Sequence, residues 1–581
     1  MYVLAPGEAY EGAGAGAGAG VYFDASKRTR ALARIGLMLC WVAGVVELAV
    51  AVWMAQVRSG AYLNLNGYAR EVVPLLLNVV VTIINETLGY IHATSLRWAL
   101  QREGRLAFNS NLRLFTSAHS SRANAWYCNV LMLFCIIMSY ASTSLLFIGD
   151  LPVHYNYDAV GGLLPKGSTT FVCGFAMITL GIGIIGQCII TTLALRTALD
   201  CPTWSPNPLD TAAACVAAGT VRPAPGRCLR SVHDQDQAPM PVAPRTRQPS
   251  SFHAHKEVRY VFYALWGTVV LTLAWGVVLV AVIRHSRLVN GMYNGTSWSF
   301  FPFVPTSIDL RVAQQDQSGD TSGTMTLAIP WDPIGQFAWQ DTARPYVSLA
   351  SFCWAFALMC LLQTFMTLSL HCAELLINVI RDEQTWRLAG KRKPGLFSRA
   401  FGLSRKPMNA LHMLFLSAPA LALFLFKPVL HWIFGLAVSA YFSVGMVMRP
   451  PQIFYLCVGG LALAFGVTAC AFWRPPGPQP ATYGHIQTLV DLVDEWPEMD
   501  ETMFWGRKMA SPWAGGSGSS GVDMERERAT LLGQSGGGAY PHPQESPYTD
   551  GKPTAHAGTS DMLLDEVRPD EYYMGEKRRS S

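Results

Sequence analysis

Three carboxylates stand inside apolar runs long enough to cross a bilayer, and these residues are the best placed to do chemistry. A charged side chain at the centre of a membrane helix costs about 2.5–3.5 kcal/mol on insertion scales, so each marks a candidate functional position. Glu47 lies twelve residues after Ile35, where its run begins, on a face shared with Cys40, Gly44 and Ala51. Those small residues would let a neighbouring helix approach closely. Glu86 lies on a polar stripe with Asn78, Thr82 and Gly89, flanked by Asn85 and His92. Glu374 belongs to a third stripe, Gln363, Thr367, His371, Glu374 and Asn378, whose intervals of four, four, three and four place all five on one helical face.

Such stripes support two readings. They can hydrogen-bond a helix bundle together, at about 0.6 kcal/mol per contact in a measured system, or they can line a polar pathway. His371 and Glu374 have the spacing of two metal ligands on one turn. A carboxylate-bridged di-metal bundle needs two Glu-x-x-His motifs and two further glutamates, so no metal centre or other cofactor is expected. The run Gly181-Ile-Gly-Ile-Ile-Gly186 spells a dinucleotide fingerprint but sits in an apolar crossing. There its glycines serve close packing, since the fingerprint needs a strand and a helix in water. The cluster His233, Asp234, Asp236, His253 and His255 falls in a stretch without apolar periodicity and reads as solvated linker.

The elements that must position these residues follow from composition. Of 581 residues, 51% are hydrophobic and 14% charged, against about 25% charged in an ordinary soluble domain. Several soluble domains could not be coated with so few charges. The apolar residues cluster in blocks of the length a helix needs to span lipid: Ile35–Gln56, Val72–Ala93, Ala125–Gly149, Phe171–Leu195, Tyr260–Ile283, Tyr346–Leu370 and Ile453–Trp473. The stretch Leu411–Met448, interrupted by Lys427-Pro428, supplies one or two more. The fold class is therefore all-α, a polytopic transmembrane bundle of about eight crossings, with nine as the alternative. A net charge of +5 argues against a nucleic-acid partner.

Lys and Arg in short loops are retained on the cytosolic side. They concentrate before the first block, between Arg97 and Arg122, and between Arg381 and Lys406. This places the N-terminus in the cytosol, and with eight crossings the C-terminus as well. The chain then divides into a Gly/Ala-rich segment 1–34 and a Pro- and Arg-rich cytosolic loop 196–259, both expected to be disordered, with a first bundle 35–195 between them and a second bundle 260–473 after them. The second bundle carries an outer loop, 284–345, with the glycosylation sequon at Asn294, and a basic cytosolic loop, 381–410. The tail 474–581 is acidic and mostly disordered by composition, with helical spacing near 483–496. Ten of the 13 cysteines lie in apolar blocks, and Cys201, Cys215 and Cys228 share the cytosolic loop, where thiols stay reduced.

Apart from the bilayer itself, two partners are expected. Residues 391–406 interleave cations with Leu396, Phe397, Phe401 and Leu403, the composition of a segment lying on anionic lipid. The acidic cluster around Asp491 and Asp494 could instead dock on that same loop. Glu527, Leu531 and Leu532 match an acidic dileucine sorting signal, and Tyr483 to Ile486 a tyrosine-based one.

Gly89–Leu100 (GYIHATSLRWAL), Arg105–Thr116 (RLAFNSNLRLFT), Lys427–Leu436 (KPVLHWIFGL), Thr482–Trp496 (TYGHIQTLVDLVDEW) and His556–Ser560 (HAGTS) together resemble a group of fungal multi-pass membrane proteins. The resemblance implies an architecture and no activity. The leading functional reading is transport or channel activity for a small solute, supported by intramembrane carboxylates beside an interrupted helix. A receptor, scaffold or trafficking protein is the alternative. A membrane-embedded enzyme comes third, because the sequence offers no paired nucleophile and base.

Overall fold

The structure, a computed structural model, describes residues 21, 23–58, 60–65, 67–111, 116–149, 169–198, 200–238, 240–289, 300, 327–329, 349–388, 417–441, 445–496, 503–508, 554–560 and 564–573. Helix dominates. Eight helices are long and apolar enough to cross a membrane: α1 (Lys27–Arg58), α2 (Gly67–Arg102), α3 (Trp126–Leu146), α4 (Gly174–Thr197), α6 (Lys256–Val289), α7 (Leu349–Leu388), α8 (Ala418–Ala437) and α9 (Pro450–Phe472). A short α5 (Pro208–Ala217) and α10 (Ile486–Leu492) lie outside that set. The expected disorder of 1–34 does not extend to its end, because α1 already begins at Lys27, and Ser26 before it is buried and bonded to Asp24 and Thr29. The chain is an integral membrane protein by this architecture.

The surface of the bundle is apolar. Met38, Leu39 and Val46 on α1, Val270 and Val277 on α6, and Val458 and Phe465 on α9 are all exposed. Its interior holds the polar side chains Asn78, Thr82, Asn85, Ser139, Ser142, Gln187 and Gln363, all buried. That inversion suits a lipid solvent, which offers a polar group no partner and so drives it between helices. The glycine run of α4 packs as its setting requires: a Cβ on Gly183 would lie 2.7 Å from Ser139 Oγ, and one on Gly181 3.1 Å from the Leu48 backbone of α1.

The ambiguous stretch Leu411–Met448 resolves into one crossing. Helix α8 runs through Lys427 and Pro428, then gives way to the hairpin β5 (Val438–Tyr441) and β6 (Gly445–Met448). Among the described residues the count is eight. The loops alternate between two faces of the bundle. On one face β1 (Gly60–Asn64), β2 (Phe147–Gly149), β3 (Thr169–Cys173), β4 (Leu327–Ile329), β5 and β6 form a six-stranded sheet in the order β1-β3-β2-β5-β6-β4. Strands from the first, third, fifth and seventh connections can pair only if those connections share a side.

On the opposite face the stretch 196–259 is not the disordered loop that its composition predicts. Its described residues form α5, capped by Asn207 Oδ1 accepting from Leu209 N at 3.0 Å, and two short 3₁₀ turns. Trp204 and Arg230 are fully buried. This stretch finds its hydrophobic partners in distant segments, so no local periodicity reveals the packing. Trp98 Nε1 of α2 donates to Thr203 O at 2.9 Å, and Val232 N donates to Ala481 O at 2.9 Å.

The tail is likewise folded where it is described. Residues 475–483 strap the end of α7, with Trp386 Nε1 donating to Pro480 O at 2.8 Å and Glu383 Oε2 accepting from Thr482 N and Tyr483 N, each at 2.8 Å. The chain turns at Tyr483 and Gly484, both at positive φ (47° and 75°). A Cβ on Gly484 would lie 2.7 Å from Asp382 Oδ2, so only glycine fits there. Helix α10 follows, shorter than the helical spacing near 483–496 suggests. Last come β7 (Phe504–Lys508), β8 (Thr554–Ser560) and β9 (Tyr572–Tyr573), paired in that order.

Loop alternation gives a direct test. A glycosylation acceptor inserted after Gly149, at the end of β2 on the sheet face, should be modified in cells if that face is lumenal. One inserted after Asn111 should not, and a tag after Ser581 should share the side of Asn111. A tag at Ser581 found on the side of Gly149 would restore a ninth crossing.

Candidate functional site

The packing of α2, α7 and α8 brings Glu86 and Glu374 to one point, and a residue that sequence reasoning treated only as an interruption stands between them. Lys427 Nζ donates to Glu86 Oε1 and, at 3.0 Å, to Glu374 Oε2. The lysine side chain is 9% exposed, and the two carboxylates are 34% and 33% exposed. His371 Nδ1 lies 3.7 Å from Glu374 Oε2. Pro428 has no N–H, so the Phe424 carbonyl one turn back loses its helical donor beside the charged cluster. The signal for Lys427 was in the sequence: a lone cation well inside an apolar run needs an anion to meet it.

A chain of polar contacts runs from this cluster toward the sheet face. His431, one turn beyond Lys427, stacks on Tyr140 of α3 with ring centroids 3.5 Å apart and 4° between planes. Its Nδ1 lies 3.2 Å from Gln363 Oε1, and Gln363 Nε2 donates to Ser144 Oγ at 3.2 Å. The Tyr140 hydroxyl is 3.1 Å from Thr82 Oγ1. Asn78 accepts from Thr143 Oγ1 at 3.2 Å and donates to Pro74 O at 2.9 Å. A branch toward α4 has Gln187 Nε2 donating to Asn85 Oδ1 at 3.0 Å and Ser139 Oγ at 3.2 Å. Sequence spacing gave no indication of Tyr140, Ser144, Gln187 or His431, since only the helix packing shows which faces meet.

The remaining expected residues fall elsewhere. Thr367 is buried on α7, and its Oγ1 has no hydrogen-bond partner among the described residues. Glu47 stays on α1, away from the cluster. Its helix does pack closely as expected, because Gly44 abuts Ile184 and Ile185 of α4. Asn294, the basic segment 391–406, and Glu527, Leu531 and Leu532 lie outside the described residues. The tyrosine-based signal fails on burial, since Tyr483 and Ile486 are 3% and 1% exposed. The Tyr483 hydroxyl donates to Pro249 O at 2.8 Å.

Asp234 is not solvated either. Burial works against its charge, but Arg245, bonded to both its oxygens at 3.0 Å, and Ser231 hold it below the usual carboxylate range. No group of three or more metal-ligating side chains occurs among the described residues.

The acidic residues beside α10 are engaged with the tail and the loop around it. Asp491 Oδ1 accepts from Ala224 N at 2.8 Å. Asp494 meets Lys508 Nζ at 2.8 Å and His556 Nε2 at 3.0 Å, and accepts from Thr559 N at 2.7 Å. Burial disfavours the Asp494 charge, but His556, Lys508 and Thr559 outweigh it and hold the carboxyl well below its ordinary value. Burial likewise opposes protonation of His556, yet Asp494 and the neighbouring Cys228 push it up to about 9.

No family model matches the chain, and no curated protein or solved structure matches it either. The site has to be read from its own geometry.

Two outcomes follow. Lys427→Met leaves two carboxylates facing each other without a cation and should destabilise the bundle by about 3 kcal/mol. That is the low end of the range for breaking a buried pair, because both carboxylates are partly exposed. Adding Glu86→Gln and Glu374→Gln to Lys427→Met should restore most of the loss, read as the thermal midpoint in detergent. The second outcome concerns pH. The folded His556 titrates near 9, above its ordinary 6.5, so its contribution is complete below about 6.5 and is lost as pH rises through about 9. Asp494 is depressed, so its contribution holds above its ordinary 3.8 and fades in acid. Hydrogen-exchange protection of β8 should therefore be flat between about pH 5 and 6.5 and decline toward pH 9. Protection unchanged at pH 9.5 would remove the imidazolium from the account.

Proposed function

We propose that this chain is a multi-pass transporter or channel for a small solute, with Glu86, Lys427 and Glu374 as the charged centre of its pathway. The buried ammonium between carboxylates from two other helices carries the reading. A bundle that needs only cohesion gains little from such a cluster, because apolar side chains of similar volume are often as stabilising or more so. Charges kept at the core of an apolar bundle are more consistent with a site that must bind or release charge. Helix α8 adds support: its proline frees a backbone carbonyl next to the lysine, and interrupted helices are how many transporters build sites. The contacts from His431 through Gln363 and Tyr140 to Asn78 extend polarity toward the sheet face. With the arginine-rich connections held in the cytosol, the sheet face looks outward and the centre opens toward the cytosolic half.

A receptor or scaffold is the second reading. The folded layer built from 200–259 and 474–496 favours it, being far larger than a loop needs to be for connection alone.

Uptake of a panel of amino acids, sugars and inorganic cations, measured in cells alongside protein abundance and location, separates the two. Glu86→Gln and Glu374→Gln should each reduce uptake of one class at least tenfold at normal abundance. If both variants fall in abundance and uptake per molecule stays constant, the carboxylates are structural and the scaffold reading gains.

A further inference from the structure

The cluster on α2, α7 and α8 holds more negative charge than its lysine answers. Two carboxylates, Glu86 and Glu374, face one ammonium, Lys427, which leaves one surplus negative charge. Among the described residues no further Lys or Arg pairs with either acid. His371 Nδ1 stands 3.7 Å from Glu374 Oε2, beyond hydrogen-bond distance. Charge kept inside an apolar bundle is costly unless something meets it.

The spare oxygens mark where a counter-charge belongs. Lys427 engages Glu86 through Oε1 and Glu374 through Oε2, and the second oxygen of each acid makes no hydrogen bond among the described residues. Helix α8 packs against both α2 and α7, which scarcely touch each other. The acids therefore stand on two walls of a cleft, each about a third exposed, while the lysine on its floor is 9% exposed. A ligand entering the cleft meets carboxylate oxygen before it meets ammonium. Thr367 is an independent sign. It is 7% exposed, and its Oγ1 has no partner among the described residues, an arrangement that costs free energy. On α7 it lies between Gln363, which meets His431 of α8, and Glu374, which meets Lys427 of α8, so it shares the face that closes the cleft.

We infer that the cleft binds one small monovalent cation, of alkali-metal or ammonium size, on the free oxygens of Glu86 and Glu374. The Thr367 hydroxyl is the next oxygen along the same face. Oxygen donors of this kind replace the hydration shell of such an ion. Valence follows from the surplus. One added positive charge makes the cleft neutral, whereas a divalent ion would reverse its sign beside an ammonium tethered in place. Lys427 is then a specificity-determining residue: by cancelling one of two carboxylate charges it sets the charge of the ion accepted. That an ion binds rests on the geometry alone; that it is the transported or coupled solute rests on the transport reading.

The thermal midpoint of the full-length protein in non-ionic detergent at pH 8 provides the test. Sodium, potassium and ammonium chlorides are each titrated against the chloride of the bulky cation N-methylglucamine at constant ionic strength. A ligand that binds only the folded state raises the midpoint, so at least one of the three should raise it saturably, by about 2 °C or more. Glu86→Gln and Glu374→Gln each leave a single carboxylate paired with Lys427 and no surplus charge, and each should abolish the response. Lys427→Met doubles the surplus, and calcium should then raise its midpoint more than sodium or potassium does. Should Lys427→Met not fold, the two glutamine variants decide alone. Equal midpoints in all salts would overturn the site, as would a response kept in both glutamine variants. The transport reading fails separately. A saturable ion response in a protein that takes up no solute would keep the site and remove transport. Carboxylate-dependent uptake without any ion response would keep transport and remove the site.

Discussion

An ammonium group cannot rest between lipid-immersed helices unless anions come to it, and that constraint organises the bundle. Lys427 lies near the middle of α8, and its charge is met by Glu86 from α2 and Glu374 from α7. Two helices are therefore fixed in rotation and in height against a third. The same three helices then align Thr82, Gln363 and His431, with Tyr140 of α3 joining from the side. Lipid provides no hydrogen bonds, so every polar group on these faces has to find its partner within the bundle. The outer face, free of that demand, is built from Val, Leu, Met and Phe.

A second layer fixes the far end of α7. Asp382 accepts from Asn109 Nδ2 at 3.1 Å and from Ser110 Oγ at 3.0 Å, while Glu383 gathers the Thr482 and Tyr483 amides and the Arg387 guanidinium. These two acids follow Glu374 by eight and nine residues on one continuous helix. The strap from the tail and the ion pair in the membrane thus act on the same rigid rod. The Asp494 contacts with Lys508, His556 and Thr559 hold β7 and β8 against the end of α10.

Parts of this were legible in the residues themselves. The carboxylates Glu86 and Glu374 stood out because charge in an apolar run is costly; that both pair with Lys427 was not legible there. The four-four-three-four stripe put Gln363 and Glu374 on one face of α7, and the packing turns both toward α8. The loop 196–259 misled because its proline and arginine content resembles that of a solvated linker. Thr203 and Val232 are in fact held by Trp98 and Ala481, far away in the chain, while Arg230 and Asp234 are held by backbone carbonyls and Arg245 seven to eleven residues on, where the turn that brings them together leaves no apolar periodicity.

The sequence by itself determined the solvent, seven of the long apolar helices and the alignment of polar residues along single faces of α2 and α7. Those follow from short-range periodicity and from the cost of burying charge, both of which act within a single helix. Only the tertiary structure decided which charges neutralise one another, that the stretch around Pro428 crosses once, and that the extramembrane stretches fold into layers. These outcomes depend on contacts between segments far apart in the chain, where the free energy of pairing resides in the partner as much as in the residue.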